Sequence, residues 1–263
     1  MPYRFWFAFS YFRPALARIP GWVVRSRELS NFTYDLTDLS REYLAGVVSW
    51  ISGMSWEAAC GFIAEFYRDA EPLRAHVARC TAQTPDRFVS DTSAKPGRRL
   101  LYYALARTLK PRTILEAGVH RGFGTVILDA ALEKNREEGC PGRVIGVDLN
   151  PDAGYLVQKP YDQHAQVIAG DVLSFLEHGL DRMVDLYIHD TANDAGLESR
   201  EYELVEKRLA PRAVILSVWH TGVLMKFARR TGRKYLMFKE ETRESWFPGS
   251  TMGIAFKPLQ EGA

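Results

Sequence analysis

The sequence predicts an α/β fold: a seven-stranded, mostly parallel sheet with an antiparallel last strand, preceded by an N-terminal helical extension. Helical periodicity dominates before about residue 95, and short apolar segments alternate with amphipathic helices after it. The last two apolar segments have no helix between them, so this pair can only be antiparallel. We expect the extension over residues 1–94, as a cap or dimerisation region, and a ligand-binding domain over residues 95–263.

Composition excludes several classes of protein. Of the 263 residues, 46% are hydrophobic and 25% are charged, and the formal net charge is only +2. These values argue against a disordered chain, a collagen-like repeat and a strongly basic nucleic-acid binder. The cysteines, Cys60, Cys80 and Cys140, show no paired spacing, so neither a disulfide scaffold nor a zinc ribbon is expected. The expected location is the reducing cytoplasm.

The first 22 residues are rich in aromatic side chains but are interrupted by arginines and prolines. The apolar run from Phe5 to Phe12 is too short for a transmembrane helix, and no basic region precedes a cleavage site of the signal-peptide type. Three interpretations stay open: an arm folded back on its own core, an arm packed on a partner subunit, or a contact with a membrane surface. Because of this arm we expect a homodimer.

Apolar residues at every fourth position predict that one helix packs a single face on the core: Leu39, Tyr43, Val47 and Ile51. Gly53 is placed to end this helix and Ser55 to cap the next one, while Pro72 is expected to kink or restart that second helix.

The predicted strands of the second part are residues 113–119, 143–149, 165–169, 183–189, 213–219, 234–240 and 250–257. The predicted helices are residues 98–109, 125–134, 173–178, 197–209 and 224–230. Because helices link the first five strands, we expect a mostly parallel sheet with right-handed crossovers.

A glycine-rich turn follows the first of these strands, in the segment ILEAGVHRGFG (114–124). Its glycines, Gly118, Gly122 and Gly124, allow a tight turn and close approach to a ligand at the start of a helix. His120 occupies the place of the second glycine of a dinucleotide fingerprint, and no Walker A sequence is present. Alone, such a turn is a weak signal, because many α/β proteins have one for close packing.

Acidic residues at the ends of the predicted strands strengthen the prediction of a ligand-binding site. Glu116 lies in the first strand, Asp148 ends the second, and Asp171 and Asp190 follow the next two. Asp148 is placed to accept two hydrogen bonds from ribose hydroxyls, and Asp171 is placed near an adenine amino group. Helix N-capping remains the alternative interpretation of Asp171 and Asp190.

From about Lys95 to Phe256 the chain resembles the class I S-adenosylmethionine-dependent methyltransferases. EAGVHRG resembles the glycine motif of that family, GVDLN (146–150) its ribose-binding acid, and GDV (170–172) its adenine-site acid. IHDTAND (188–194) resembles a stretch of small-molecule methyltransferases from bacterial secondary metabolism. The resemblance implies a Rossmann-like methyltransferase fold, S-adenosylmethionine as cofactor, S-adenosylhomocysteine as product, and O-methylation of a small molecule.

The resemblance also implies the cofactor-binding residues: Glu116, Gly118, His120, Gly122, Asp148, Leu149, Gly170, Asp171, Val172 and Asp190. Metal-dependent relatives use an acid after the fifth strand, but AVILSVWHTG (213–222) contains none, and Asn193 stands where relatives often have His. Asp190 and Asp194 are too few to hold Mg²⁺, so no metal is expected.

Removal of a proton from an alcohol or phenol requires a base, and His220, just past the fifth strand, is the expected catalytic residue. His189 and Asp190 are alternative catalytic residues, and a helix-capping role is the alternative for His220. The histidines His76, His164 and His178 are expected at the surface. Three aromatic residues are candidates to line the acceptor site, or alternatively belong to the hydrophobic core: Trp219, Trp246 and Phe247.

Two other functions stay open. An NAD-type oxidoreductase is one, although His120 in the glycine turn and the antiparallel last strand argue against it. A protein that binds the cofactor without methylating is the other. The basic run near residues 229–234 lacks interleaved aromatic residues, so nucleic acid is not an expected partner.

Overall fold

The computed structural model describes residues 2–29, 33–218 and 221–258. The α-helices are α1 (Pro2–Arg25), α2 (Asp38–Ser52), α3 (Trp56–Arg68), α4 (Ala70–Ala82), α5 (Arg99–Leu109), α6 (Phe123–Glu137), α7 (Val172–Ser174), α8 (Ala195–Val205) and α9 (Val223–Arg230). The strands are β1 (Asp35–Leu36), β2 (Thr113–Ala117), β3 (Arg143–Asp148), β4 (Ala165–Ala169), β5 (Val184–His189), β6 (Leu209–Ser217), β7 (Lys234–Lys239), β8 (Thr242–Arg243) and β9 (Thr251–Phe256). Short 3₁₀ helices cover Pro85–Phe88 and Glu206–Arg208, and a π-helical turn covers Phe175–Gly179.

The large sheet has seven strands in the order β4-β3-β2-β5-β6-β9-β7. Strands β2 to β6 pair in parallel, whereas β9 runs antiparallel to both of its neighbours, β6 and β7. The predicted sheet, including its antiparallel last strand, is therefore confirmed. The chain moves outward from β2 to β4 and then returns to β5 on the other side of β2. This reversal opens a crevice at the carboxyl ends of β2 and β5.

Some boundaries differ from the prediction. Strand β6 begins at Leu209 rather than at residue 213, and helix α8 ends at Val205 with a 3₁₀ turn behind it. A second sheet of two strands, β1 and β8, was not predicted, because strands of two residues carry no periodic signal. Its pairing joins the segment before α2 to the loop between the last two strands of the large sheet.

Helix α2 packs on the core with a different face from the one predicted. Leu39 is 73% exposed and Tyr43 is 55% exposed, so half of the predicted stripe is wrong. A helix has 3.6 residues per turn, and strict spacing by four therefore drifts about 40° around the helix at every step. The buried residues follow the true period instead: Ser40, Leu44, Ala45, Val47, Val48 and Ile51.

The predicted helix ends in this region are confirmed. Gly53 closes α2 with a left-handed conformation at φ 73°, and Ser55 caps α3 by accepting the backbone N–H of Ala58. Pro72 lies in the first turn of α4, so the helix restarts after Arg68 as expected.

Helix α1 lies outside the core. None of its residues is buried, and the helix continues through both Pro14 and Pro20. Its contacts with the body include a hydrogen bond from Arg18 Nη1 to the carbonyl oxygen of Ser245 (3.0 Å) and an edge contact between Trp22 and Trp246. The arm thus contacts its own body at this end, but it contributes no buried side chain to the core. In the described part of the chain, no helix combines the length and the apolar character needed to cross a bilayer.

A buried guanidinium joins the helical region to the sheet domain. Arg107 on α5 is only 2% exposed, and its Nε donates to Glu65 Oε1 on α3 at 2.7 Å. Its Nη2 donates to Glu138 Oε1 at 2.6 Å, just after α6, and its Nη1 donates to Asn135 Oδ1. Tyr103 adds a hydrogen bond to the same Glu65 carboxylate at 2.6 Å. Arg107 thus links α3, α5 and α6. Because its guanidinium is buried, these hydrogen-bond partners stabilise its charge in place of water.

We expect the substitution Arg107→Ala to lower the free energy of unfolding by about 3–5 kcal/mol, because it leaves the half-buried Glu65 carboxylate without its cation. Urea unfolding followed by circular dichroism measures this loss. The control is Arg74→Ala, which removes an exposed pair with Glu71 and should cost less than about 1 kcal/mol. Equal stability of the two variants would contradict the role of Arg107 in linking the helical region to the sheet domain.

Candidate active site at the carboxyl ends of the strands

A cavity of about 540 Å³ lies at the carboxyl ends of β2, β3 and β5. Nine of the ten predicted cofactor-binding residues line it: Glu116, Gly118, His120, Asp148, Leu149, Gly170, Asp171, Val172 and Asp190. The tenth, Gly122, does not line it. Gly122 has φ 91°, and a Cβ there would lie 2.8 Å from Val157 Cγ2, so this glycine serves the packing of the loop that follows β3.

The glycine turn after β2 presses against the end of β5. Gly118 has φ 88°, and a Cβ at this position would lie 2.2 Å from the carbonyl oxygen of Asp190. Its N–H donates to the carbonyl oxygen of Val147 at 2.9 Å. Only glycine fits such a conformation between two main chains.

Asp148 holds this turn in place. Its Oδ2 accepts the backbone N–H groups of Val119 and His120, both at 2.8 Å, and its Oδ1 accepts the N–H of Asn150 at 2.9 Å. A carboxylate offers about four acceptor positions, so about one remains, on Oδ1. Asp148 can therefore accept only one of the two hydrogen bonds that were expected from a ribose diol.

The residues after β4 form an open rim of the cavity. Asp171 caps α7 by accepting the N–H of Ser174 at 2.8 Å, and its side chain also borders the cavity. Leu149 is 77% exposed, and a Cβ on Gly170 would meet no atom within 4 Å. The capping interpretation of Asp171 is thus observed, together with a position on the rim.

Asp190 pairs with a cation that the sequence did not reveal. Arg98 Nη2 lies 3.1 Å and 3.2 Å from the two carboxylate oxygens of Asp190, and both side chains are largely buried. Asp190 does not cap a helix. Asp194 caps α8 instead, by accepting the N–H of Leu197 at 2.7 Å.

Glu116 lies at the bottom of the cavity and is only 2% exposed. Its Oε2 accepts the hydroxyl of Thr125 at 2.5 Å. Burial raises the pKa of Glu116 to about 8, against the lowering effect of the Thr125 hydrogen bond. The carboxyl group therefore carries a proton at neutral pH, and an incoming cation would favour its ionised form.

The raised pKa predicts a pH dependence of stability. A carboxyl group with a pKa of about 8 in the fold and 4.5 in the unfolded chain binds its proton more tightly when folded. Its contribution to stability is complete below about pH 4.5 and is lost as the pH rises to about 8, by at most about 1.4 kcal/mol per pH unit. Urea unfolding between pH 5 and about pH 8 should show this slope in the wild type and a flatter profile in Glu116→Gln. The control is Glu57→Gln at the exposed start of α3, which should retain the slope of the wild type. Equal slopes in the wild type and in Glu116→Gln would contradict the raised pKa of Glu116.

His189 does not reach the cavity. Its side chain is fully buried, with Nδ1 2.7 Å from Glu201 Oε2, and Tyr187 donates to the same carboxylate at 2.5 Å. Residues two apart on a strand share one face, and here that face is turned towards α8. The structure therefore gives no support to His189 as an alternative base.

Other predicted residues lie elsewhere. His220 and Trp219 fall outside the described residues. Trp246 contacts Trp22, and Phe247 contacts Tyr34, so neither aromatic side chain walls this cavity.

Two of the three histidines expected at the surface are not exposed. His76 is buried, with Nε2 2.7 Å from the carbonyl oxygen of Leu156. The side chain of His164 is 12% exposed and lies 2.7 Å from Glu133. Both are covered because α4 and α6 pack against the segment between β3 and β4. Only His178 is at the surface, as expected.

The N-terminal region supplies part of the cavity wall, which the sequence did not indicate. The lining residues from this side are Thr33, Val77, Thr81, Ser90, Asp91 and Ala94, followed by Arg98 and Arg99. Ser90 Oγ and Arg98 Nε are buried and have no hydrogen-bond partner within the described part of the chain. These residues lie in no recognisable motif, so only the three-dimensional contact assigns them to the site.

A second cavity, of about 750 Å³, adjoins the first and shares Thr33, Ser90 and Asp91 with it. Six cationic side chains line it: Arg18, Arg25, Arg27, Arg87, Lys95 and Arg243. Only three acidic residues do so, Glu28, Asp91 and Glu244. Its lining is therefore predominantly basic.

No group of three or more His, Cys, Asp or Glu side chains within residues 2–29, 33–218 and 221–258 is arranged to hold a metal ion.

Comparison with known proteins shows what the sheet domain is similar to. Residues 115–217, which run from β2 through the cavity residues to the end of β6, match a family model described as a methyltransferase domain. This match and the strand order identify a Rossmann-like methyltransferase fold. No curated protein matches the sequence.

Solved structures share the fold of this sheet domain. A cofactor-bound protein from MTB is 20% identical, with a TM-score of 0.50 over 73% of this chain and 95% of that one. A methyltransferase from Geobacter sulfurreducens is 18% identical, with a TM-score of 0.50 over 72% of this chain and 92% of that one. At this level of identity the likeness concerns the fold alone.

Proposed function

We propose that the methyltransferase domain transfers the methyl group of S-adenosylmethionine to an oxygen atom of a small molecule. The observation that carries the proposal is the cavity at the strand ends, where Glu116, Asp148, Asp171 and Asp190 converge within the matched domain. The proposed location is the reducing cytoplasm, in keeping with three cysteines that form no disulfide. Nucleic acid is not part of the proposal, and the homodimer stays a prediction.

The residues of the cavity fit this cofactor. A volume of about 540 Å³ is in the range of small-molecule sites. Ser90 Oγ and Arg98 Nε at its wall have no partner in the described part of the chain, which supports a polar ligand that completes their hydrogen bonds. The spare acceptor position on Asp148 suits a ribose hydroxyl, Asp171 suits an amino group of adenine, and Leu149 and Val172 offer apolar contact to a flat ring.

Glu116 and Asp190 suit the charged end of the cofactor. They lie at the bottom of the cavity beside Arg98 and Arg99, a mixed arrangement that suits an ammonium and a carboxylate group of one ligand. The ion pair with Arg98 orients Asp190, and Thr125 orients Glu116.

The bound cofactor supplies a methyl group activated by the sulfonium sulfur. The chain must hold the acceptor oxygen in line with this methyl group, exclude water and take up the proton of the acceptor. His220, two residues after the described end of the segment that continues β6, is the proposed base, because an ordinary imidazole titrates near neutral pH.

The second cavity supports a particular class of acceptor. It meets the first cavity at Ser90 and Asp91, and its lining contains twice as many cationic as acidic residues. A small acceptor with a carboxylate, sulfate or phosphate group would find its counter-charge there, with the reacting hydroxyl directed towards the first cavity.

Calorimetric titration with S-adenosylmethionine, S-adenosylhomocysteine and NAD tests the cofactor. We expect the first two to bind and NAD not to bind. Asp148→Ala should weaken binding by about 1.5–3 kcal/mol, roughly tenfold to a hundredfold, because it removes one ligand bond and the brace of the glycine turn. Asp152→Ala, an exposed carboxylate of the same loop, should bind as the wild type does. Binding of NAD alone would overturn the proposal.

The class of acceptor and the identity of the base are tested by measuring transfer of a labelled methyl group to a panel of phenols. The panel pairs each simple phenol with one that carries a carboxylate substituent. We expect the anionic phenols to be better acceptors, and His220→Gln to lower kcat by roughly 10²–10⁴ while cofactor affinity is unchanged. The matched control is His178→Gln, whose imidazole is exposed. An unchanged kcat in His220→Gln would remove His220 as the base. Cofactor binding without any labelled product would favour a binding protein over an enzyme.

A further inference from the structure

Helix α1 exposes an unusual amount of apolar surface. It is 24 residues long, none of its residues is buried, and ten of its large apolar side chains are at least 43% exposed. Single exposed apolar residues are normal on protein surfaces, but a continuous patch of this kind marks an interaction site.

Five of these exposed apolar residues form one stripe. Phe5, Phe9, Phe12, Leu16 and Val23 follow one another at spacings of four, three, four and seven residues, which place them on a single face of the helix. The body of the protein contacts a different face, through Arg18 and Trp22. The stripe is therefore directed away from the body.

The charge of α1 has one sign. The helix contains four arginines and no acidic residue. At 100° per residue, Arg4 lies about 110° to one side of the centre of the stripe and Arg13 about 70° to the other side. Such flanking arginines can extend their long side chains along an apolar surface and keep the guanidinium groups in a polar layer.

We propose that α1 binds a membrane surface containing anionic lipids and lies in the plane of that surface, with the Phe5–Val23 stripe inserted among the acyl chains. Flanking arginines with Trp6 beside the stripe match the residues that occupy the interface between lipid and water. Anionic headgroups supply the counter-charge that α1 lacks within itself.

A second copy of the chain explains these features less well. Packing two α1 helices stripe to stripe would bury the phenylalanines, but it would place Arg4 and Arg13 of both helices beside the contact with no acidic residue on either helix. A bilayer surface covers the stripe and neutralises the arginines at the same time. The inference does not depend on the proposed methyl transfer.

Co-sedimentation of the full-length protein with lipid vesicles tests the proposal. We expect binding to phosphatidylcholine vesicles that contain phosphatidylglycerol, weaker binding at high salt, and little binding to phosphatidylcholine alone. The triple substitution Phe5→Ser, Phe9→Ser, Phe12→Ser should weaken binding at least about tenfold, because each ring contributes buried apolar area. Phe88→Ser removes an equally exposed ring outside α1 and should leave binding unchanged.

A variant with fewer arginines separates the electrostatic contribution to membrane binding from the apolar one. Arg4→Gln with Arg13→Gln should reduce binding to the anionic vesicles by about tenfold or more, whereas Arg200→Gln on the exposed side of α8 should not. Circular dichroism and thermal unfolding show that each variant retains the fold, since none of these side chains is in the core.

Two results would overturn the proposal. One is equal binding of wild type and triple variant to the anionic vesicles. The other is a wild-type dimer, seen by light scattering, that dissociates in the triple variant and does not bind vesicles, which would assign the stripe to a second copy of the chain.

Discussion

The contact between the main chains at Gly118 and Asp190 is the constraint on which the site depends. It brings the ends of β2 and β5 so close that a single added carbon would collide with a carbonyl oxygen. Asp148 fixes the same turn from the other side by accepting two of its N–H groups. The acidic residues of three strand ends therefore surround one cavity, and their spacing is set by backbone packing rather than by side-chain flexibility.

The helical region is a structural part of the site and not an appendage. Arg107 joins it to the sheet domain through buried hydrogen bonds. Ser90 and Arg98 bring to the cavity wall polar atoms that have no partner among the residues the structure describes. Its helices also share one hydrophobic cluster with one face of the sheet, in which Leu44 and Val48 of α2 are grouped with Ile254 of β9. Loss of packing in α2 or α3 would consequently disturb the cavity as well as the fold.

Residues with a regular pattern were predictable, and residues placed by tertiary contact were not. The buried strands, the antiparallel end of the sheet and the acids at the strand ends follow from apolar runs and their boundaries. The pairing of β1 with β8 and the ion pair between Arg98 and Asp190 join residues far apart in the chain, which no local signal encodes. The contact of Trp246 with Trp22 beside the second cavity likewise joins distant parts of the chain.

The buried carboxyl of Glu116 has a consequence for any ligand that brings a positive charge into the cavity. Such a ligand stabilises the carboxylate, so at neutral pH its binding must expel the proton that burial retains. Binding and deprotonation are then a single linked equilibrium. The measured heat of binding would contain the protonation enthalpy of the buffer, and the apparent affinity would increase with pH until Glu116 is ionised in the free protein.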